Sequence, residues 1–264
     1  MNWMSMPRVL HASLILILSG SFLTTAQELP PTGSLEVSGR VRIDGRQEEL
    51  THKRFYLLRG GLQGNKSLLE RIRISEIISR DCYYSRVNAS PQLICWLRTE
   101  NCDSPYCRQI ETSDIERVPE FKAAFQKGLI QFARKRDIAG MWITTNLDPA
   151  IAGGYRQEQQ SLLEKLLGGI KPVQSSVTDS ILVKSLFIDI PVNSAAESEK
   201  FTVSNIRPME FGGKSYVWSC EVDISSEKPA TLRLQVPENN KPVKNCEVVI
   251  KDLAVCKSGD CPQQ

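Results

Sequence analysis

Histidine is almost missing from this chain: His11 and His52 are the only two in 264 residues. A metal centre built on two or three imidazoles therefore lacks ligands. Beyond the N-terminal segment, any imidazole-activated serine or cysteine must use His52. That residue lies in the polar connector Glu49-Leu50-Thr51-His52-Lys53-Arg54, where a solvated loop histidine is the ordinary reading. No Gly-x-Ser-x-Gly nucleophile elbow occurs. A charge excess is also missing. Lys plus Arg total 33 against 30 acids, a formal net of +3, too little over this length to make nucleic acid or an anionic membrane the main partner. Internal repeats, low-complexity segments and late spanning-length apolar runs are absent; Ile181 to Ile190 is interrupted by Lys184 and Asp189.

The beginning of the chain reads as an export signal. Arg8 provides a short positive region, and Val9 to Leu23 is mostly apolar without an acid. Thr24-Thr25-Ala26 places small residues before a cut after Ala26. The apolar run is about fifteen residues, shorter than a spanning helix needs. No cysteine follows the cut to carry a lipid anchor. The expected location is outside the cell or in a periplasm or envelope, with no integral membrane segment after cleavage; bacterial and eukaryotic export both fit.

Export gives the eight cysteines a meaning, because disulfides persist in oxidising compartments. They form two groups: Cys82, Cys95, Cys102 and Cys107, then Cys220, Cys246, Cys256 and Cys261. Cys220 and Cys246 sit in strand patterns. Cys102-Asp-Ser-Pro-Tyr-Cys107 and Cys256-Lys-Ser-Gly-Asp-Cys261 each resemble a small closed loop. The favoured pairing is Cys220–Cys246, Cys256–Cys261, Cys102–Cys107 and, by remainder, Cys82–Cys95. Zinc on the first group is the competing reading, but only one of its intervals has knuckle spacing. No metal or other cofactor is expected.

Period-two patterning marks both ends of the chain. Leu35, Val37, Gly39, Val41 and Ile43 alternate with polar residues up to an Asp44-Gly45 turn, and Phe55 to Leu58 is a second run. Leu182 to Ile190, Phe201 to Val203, Tyr216 to Ile224, Leu232 to Val236 and Cys246 to Leu253 read as strands. Between them the period becomes helical. Asn65 is a cap candidate, Ser90-Pro91 a start signal, and Ser113 with Glu116 a capping-box candidate. Phe121, Phe125, Leu129 and Phe132 recur at helical spacing, and Tyr155 to Leu167 ends at Gly168-Gly169. The fold class expected is α+β: an antiparallel β-sandwich-like sheet with a helical insertion, stapled by disulfides. The expected boundaries are a signal at 1–26, a leader at 27–34, the sandwich-like domain at 35–60 with 178–255, the insertion at 61–177 and a tail at 256–264. A separate α/β unit made from the N-terminal strands and the helices is the alternative.

Val37-Ser38-Gly39-Arg40-Val41 with Asp44-Gly45 resembles the opening strand of carboxypeptidase regulatory-like, prealbumin-type modules. Phe201-Thr202-Val203-Ser204-Asn205-Ile206-Arg207-Pro208 followed by Tyr216 is similar to their later stretch. The two segments cover under a fifth of the chain. The resemblance implies a non-catalytic β-sandwich accessory or binding module and carries over no functional residue.

Gly60-Gly61-Leu62-Gln63-Gly64-Asn65-Lys66-Ser67 stands where a phosphate loop would, yet Asn65 replaces the glycine that must precede the lysine. Gly212-Gly213-Lys214-Ser215 precedes a strand rather than a helix. Both read as turns. Glu100 and Asp103 are candidates for a carboxylate pair. Tyr83, Tyr84, Trp96, Trp142, Tyr216 and Trp218 are candidates for a sugar- or peptide-binding face, though core packing is the commoner role. Asn65-Lys66-Ser67 and Asn88-Ala89-Ser90 match a glycosylation sequon. These features favour a non-catalytic binding or structural module for an unknown protein or carbohydrate. The alternatives are a carboxylate hydrolase with its site in the insertion and a small-molecule carrier.

Export with cleavage predicts that mass spectrometry of the secreted protein finds Gln27 at the N-terminus. Retention of Met1 contradicts that reading.

Overall fold

A computed structural model of the chain describes residues 30–194, 197–237, 241–254, 256 and 261. The export segment, the start of the leader and most of the tail lie outside the described residues. The architecture is a mixed α+β fold with antiparallel sheets and four disulfides.

The expected first strand is two strands. β1 (Thr32–Ser38) and β2 (Arg40–Ile43) separate at Gly39, whose N–H donates to Val183 O at 2.7 Å and whose carbonyl accepts from Leu50 N at 2.8 Å. β2 then pairs only with β3 (Arg46–Glu49). Strand pairing begins inside the expected leader, because Thr32 and Gly33 already face Pro191 and Ile190. β1 is the centre of a three-stranded sheet between β10 (Ala230–Arg233) and β6 (Lys184–Pro191). β10 runs parallel to β1, a departure from the wholly antiparallel expectation. The two come from distant parts of the chain, so no hairpin constrains their direction.

The larger sheet runs β11 (Cys246–Asp252), β9 (Lys214–Ile224), β7 (Glu199–Ser204), β4 (Arg54–Arg59), β5 (Gln174–Val177). β8 (Met209–Phe211) pairs with the start of β9. β5 lies within the expected insertion, so strand pairing resumes at Gln174. The β8–β9 hairpin turns on Gly212 and Gly213, with φ of 56° and 76°. This is the left-handed pair that a tight hairpin demands, which is why glycine stands at both positions. Gly212-Gly213-Lys214-Ser215 is accordingly a turn.

Period two sorts β9 cleanly. Tyr216, Trp218, Cys220, Val222 and Ile224 face one core with Leu35 and Val37 of β1, Phe187 of β6 and Phe201 of β7. Residues of both sheets thus share one buried interior. On the other face of the larger sheet, Tyr56, Leu58 and Val217 meet Leu68 and Ile72 of α1 (Lys66–Ile74) and Leu163 and Leu166 of α8 (Tyr155–Leu167). Cations fasten this layer through helix C-termini, where carbonyls lack intrahelical donors. Arg71 donates to Leu166 O at 2.6 Å and Leu167 O at 2.9 Å. Lys251 Nζ on β11 donates to Ile72 O and Ser75 O.

The remaining helices make a third core around Tyr84, Leu93, Leu97 and Phe121. They are α2 (Arg80–Arg86), α3 (Pro91–Thr99), α4 (Thr112–Arg117), α5 (Pro119–Gln131), α6 (Arg136–Met141) and α7 (Ile143–Asn146). Ser90 caps α3 as expected, accepting from Leu93 N at 3.1 Å. The capping box lies elsewhere: Glu111 and Asp114 form it, with Glu111 N donating to Asp114 Oδ2 at 2.9 Å. The helix starts at Thr112, so Asp114 rather than Glu116 occupies its third position.

Two disulfides join neighbours: Cys220–Cys246 across the β9–β11 register, and Cys102–Cys107. The other two correct the expected pairing. Cys82 bonds Cys256, not Cys95, and Cys95 bonds Cys261. The first cysteine group is consumed by sulfur bridges, which removes the zinc reading. Cys82 and Cys95 sit on α2 and α3, and Cys256 and Cys261 bond to them from beyond β11.

These crossings close loops of 174 and 166 residues. In the chain-entropy account either bond alone contributes about 5 kcal/mol. With one in place, the second closes a ring of only about 18 residues and adds about 3 kcal/mol. Removing Cys82–Cys256 by paired serine substitution should therefore cost about 3 kcal/mol in urea unfolding, and removing both crossings about 8 kcal/mol, more than twice as much. Strictly additive losses contradict the shared-loop account.

Candidate functional site

The candidate phosphate loop has the wrong polarity. Asn65 is buried, and its Nδ2 faces the carbonyls of Arg59, Gly60 and Gly61 and Thr202 Oγ1 at 3.0 to 3.1 Å. The loop turns carbonyls inward, whereas a phosphate cradle presents amides. Its Leu62 N–H is taken by Glu221 Oε2 at 3.0 Å. A Cβ on Gly61 would stand 2.1 Å from that oxygen, so a larger residue there would displace the Glu221 carboxylate. Burial of Asn65 also closes the first sequon, while Asn88 of the second is exposed.

The candidate aromatics divide. Tyr83, Tyr84, Trp96, Tyr216 and Trp218 are buried, and Trp218 Nε1 donates to Gln235 O at 2.8 Å. They pack in the hydrophobic cores, and Tyr83 also lines a surface pocket. Trp142 is exposed.

Glu100 and Asp103 take different roles. Arg108 donates to both Glu100 oxygens at 2.8 and 2.9 Å, and that hydrogen bonding holds the carboxyl below its ordinary range. The same guanidinium reaches Asp114 at 2.7 and 3.2 Å and lies 4.8 Å over the Trp96 ring. Burial alone pushes Asp114 upward. Arg108, the Glu111 amide and the Trp96 indole more than offset it, so Asp114 remains ionised below the usual range. Glu100 therefore belongs to a structural ion network that braces the Cys102–Cys107 loop. Asp103 lies outside that network, and both Glu100 and Asp103 line a groove.

This groove, of about 1350 Å³, runs between the sheet and the helices. Four segments build it. The connector carrying His52, Lys53 and Arg54 is pinned by Thr178, whose Oγ1 accepts from Lys53 N at 2.9 Å and donates to Leu50 O. The disulfide loop supplies Asn101, Asp103 and Tyr106. The polar face of α8 supplies Arg156, Gln157 and Gln160. A bend held by Asn205 supplies Arg207: Asn205 Nδ2 donates to Arg207 O at 2.7 Å, and its Oδ1 accepts from Trp218 N at 2.7 Å.

At the foot of the groove lies a cavity of about 50 Å³, sharing His52, Lys53, Asn101, Asp103 and Arg207 with it. That is room for a few waters. Its floor is Arg80, Tyr155, Gln159 and Glu210. Glu210 Oε1 accepts from Arg80 N at 2.8 Å and from Tyr155 Oη at 3.2 Å. Burial pushes the Glu210 carboxyl above its ordinary range, and burial with the nearby Glu210 pushes the Tyr155 phenol well up. The Arg80 guanidinium is occupied by Asp81 and by the carbonyls of Leu97 and Cys102.

His52 is exposed, as expected of a loop histidine, and it sits on the groove. Its ring has no hydrogen-bond partner among the described residues, so nothing orients it as a base. Among the described residues no group of three or more His, Cys, Asp or Glu is placed to hold a metal, and no helix is long and apolar enough to cross a membrane. Sequence reasoning passed over Arg80, Tyr155, Arg207 and Glu210. They are 130 positions apart at the extreme and carry no motif, so only the fold brings them together.

Compared with family models, curated proteins and solved structures, the chain matches none.

A carboxyl that binds its proton more tightly folded than unfolded favours the folded state at low pH. That contribution falls as pH rises from about 4.5, the ordinary glutamate value, through the raised one. Glu210→Gln should flatten this decline in urea midpoints measured across that window. Parallel pH profiles for the two proteins contradict a buried, raised carboxyl.

Proposed function

We propose that the chain is an exported, non-catalytic binding module with a sandwich-like body of strands, as the resemblance of two short segments to prealbumin-type accessory modules implies. The helical insertion forms the second wall of the binding site. The groove is the ligand site, and a carbohydrate bearing carboxylates fits its chemistry best. The observation that carries this reading is the groove lining. The Gln157 amide offers a donor and an acceptor for hydroxyls, and Asn101 and Gln160 add further polar groups beside their bonds to Lys53 and Glu164. Tyr106, half exposed, offers a ring face for a sugar. Arg156 and Arg207 have no side-chain partner among the described residues and match carboxylates in fork geometry. A carrier would need a mainly apolar interior, whereas this lining mixes polar and apolar surface with several charged groups.

One observation favours a second reading. Glu210, whose carboxyl burial pushes above its ordinary range, lies at the floor of a cavity that Asp103 also lines, and a carboxylate hydrolase uses one such raised acid beside a second carboxylate. In that reading Glu210 replaces Glu100, which is bound to Arg108.

Calorimetry of the mature chain with uronate-containing oligosaccharides tests the proposal. Binding is expected, with Arg207→Ala weakening it about tenfold or more and Tyr106→Ala weakening it as well. Cleavage of the oligosaccharide that Glu210→Gln abolishes would establish the hydrolase instead. Absence of both binding and cleavage removes the carbohydrate assignment.

A further inference from the structure

The near balance of charge over the whole chain conceals a local excess. Where α5 turns into α6, Lys127, Arg134 and Lys135 are exposed, and their side chains have no hydrogen-bond or ion-pair partner among the described residues. Arg136 follows, lying 5.5 Å over the Phe125 ring. The facing acids are Asp137 on α6 and, across a neighbouring groove, Glu111 and Glu116. None of them bonds to these bases.

The same corner exposes large apolar side chains. Ile130 is 85% exposed and Trp142 47%, while Met141 lines the neighbouring groove with Glu111, Glu116 and Asp137. The Trp142 ring rests 6.1 Å from that of Phe132, which holds the indole at the end of α5 instead of in the interior. The backbone makes the corner sharp: Ala133 and Arg134 have φ of 50° and 62°, and Arg134 N donates to Leu129 O at 2.7 Å. Two successive side chains in the left-handed region are costly in an ordinary turn. Here they reverse the chain and set bases beside the apolar tip.

We propose that this corner docks on an anionic lipid surface. Ile130 and Trp142 enter the boundary between headgroups and acyl chains, where an indole is at home. Lys127, Arg134 and Lys135 face the anionic headgroups. The contact is peripheral and needs no spanning segment. It does not depend on the groove.

Flotation of the full mature chain with vesicles is the test. The protein should float with phosphatidylglycerol–phosphatidylcholine vesicles, remain behind with phosphatidylcholine alone, and be released by salt. Trp142 emission should shift to the blue on binding, since Trp96 and Trp218 are already buried. Each base near such a surface contributes about fivefold, so Arg134→Glu with Lys135→Glu should reduce the bound fraction well over tenfold. Ile130→Ser should weaken binding while leaving the buried core intact. Equal flotation of the charge-reversed protein overturns the proposal. So does capture by soluble heparin without flotation on anionic vesicles.

Discussion

Two sulfur bridges from the end of the chain to the middle, Cys82–Cys256 and Cys95–Cys261, are the constraint on which the remaining architecture rests. Without them the helical layer containing α2 and α3 would meet the sheets through modest polar contacts. Arg80 illustrates the dependence. It lies two residues from Cys82, its amide holds Glu210 on β8, and its guanidinium holds the Cys102 carbonyl. Fixing α2 covalently thus fixes the floor of the groove and the loop forming one wall. The cost of ordering so long an excursion is large, and covalent closure removes much of it from the unfolded chain.

Legibility followed the range of the interaction. Trp218 and its alternate neighbours on β9 declare a strand, because period two depends on adjacent residues alone. Ser90-Pro91 declares a helix start for the same reason. Cys220 and Cys246 could be paired because each strand pattern was visible. Cys82 and Cys256 could not: their partnership depends on how α2 and the tail meet in space. Pairing by nearness in sequence chose the short loops and was right only for Cys102–Cys107. Strands such as Arg46–Glu49 and Gln174–Val177 carry almost no apolar signal; their pairing with neighbours defines them. The groove was less legible still. Asp103 and His52 were visible as residues, but Arg207 and Glu210 acquire meaning only when Asn205 and Arg80 position them.

Charge tells a similar story at two scales. The overall balance argues against a general attraction to polyanions. The fold nevertheless separates charge locally. Arg108 and Arg117 balance Glu100 and Asp114 beside the Trp96 ring, leaving Arg156 and Arg207 on the groove and Lys127, Arg134 and Lys135 at the α5–α6 corner as cations without a protein partner among the described residues. The first set lies among amides and a tyrosine, the second among exposed aliphatic groups, so the two surfaces suit different chemistry.

The covalent crossing is the element to measure first. Proteolysis of the unreduced secreted protein, followed by mass spectrometry, should yield one linked peptide containing Cys82 with Cys256 and another containing Cys95 with Cys261. Linked peptides joining Cys82 to Cys95 and Cys256 to Cys261 would contradict the account, since the tail would then no longer hold the helices against the sheets.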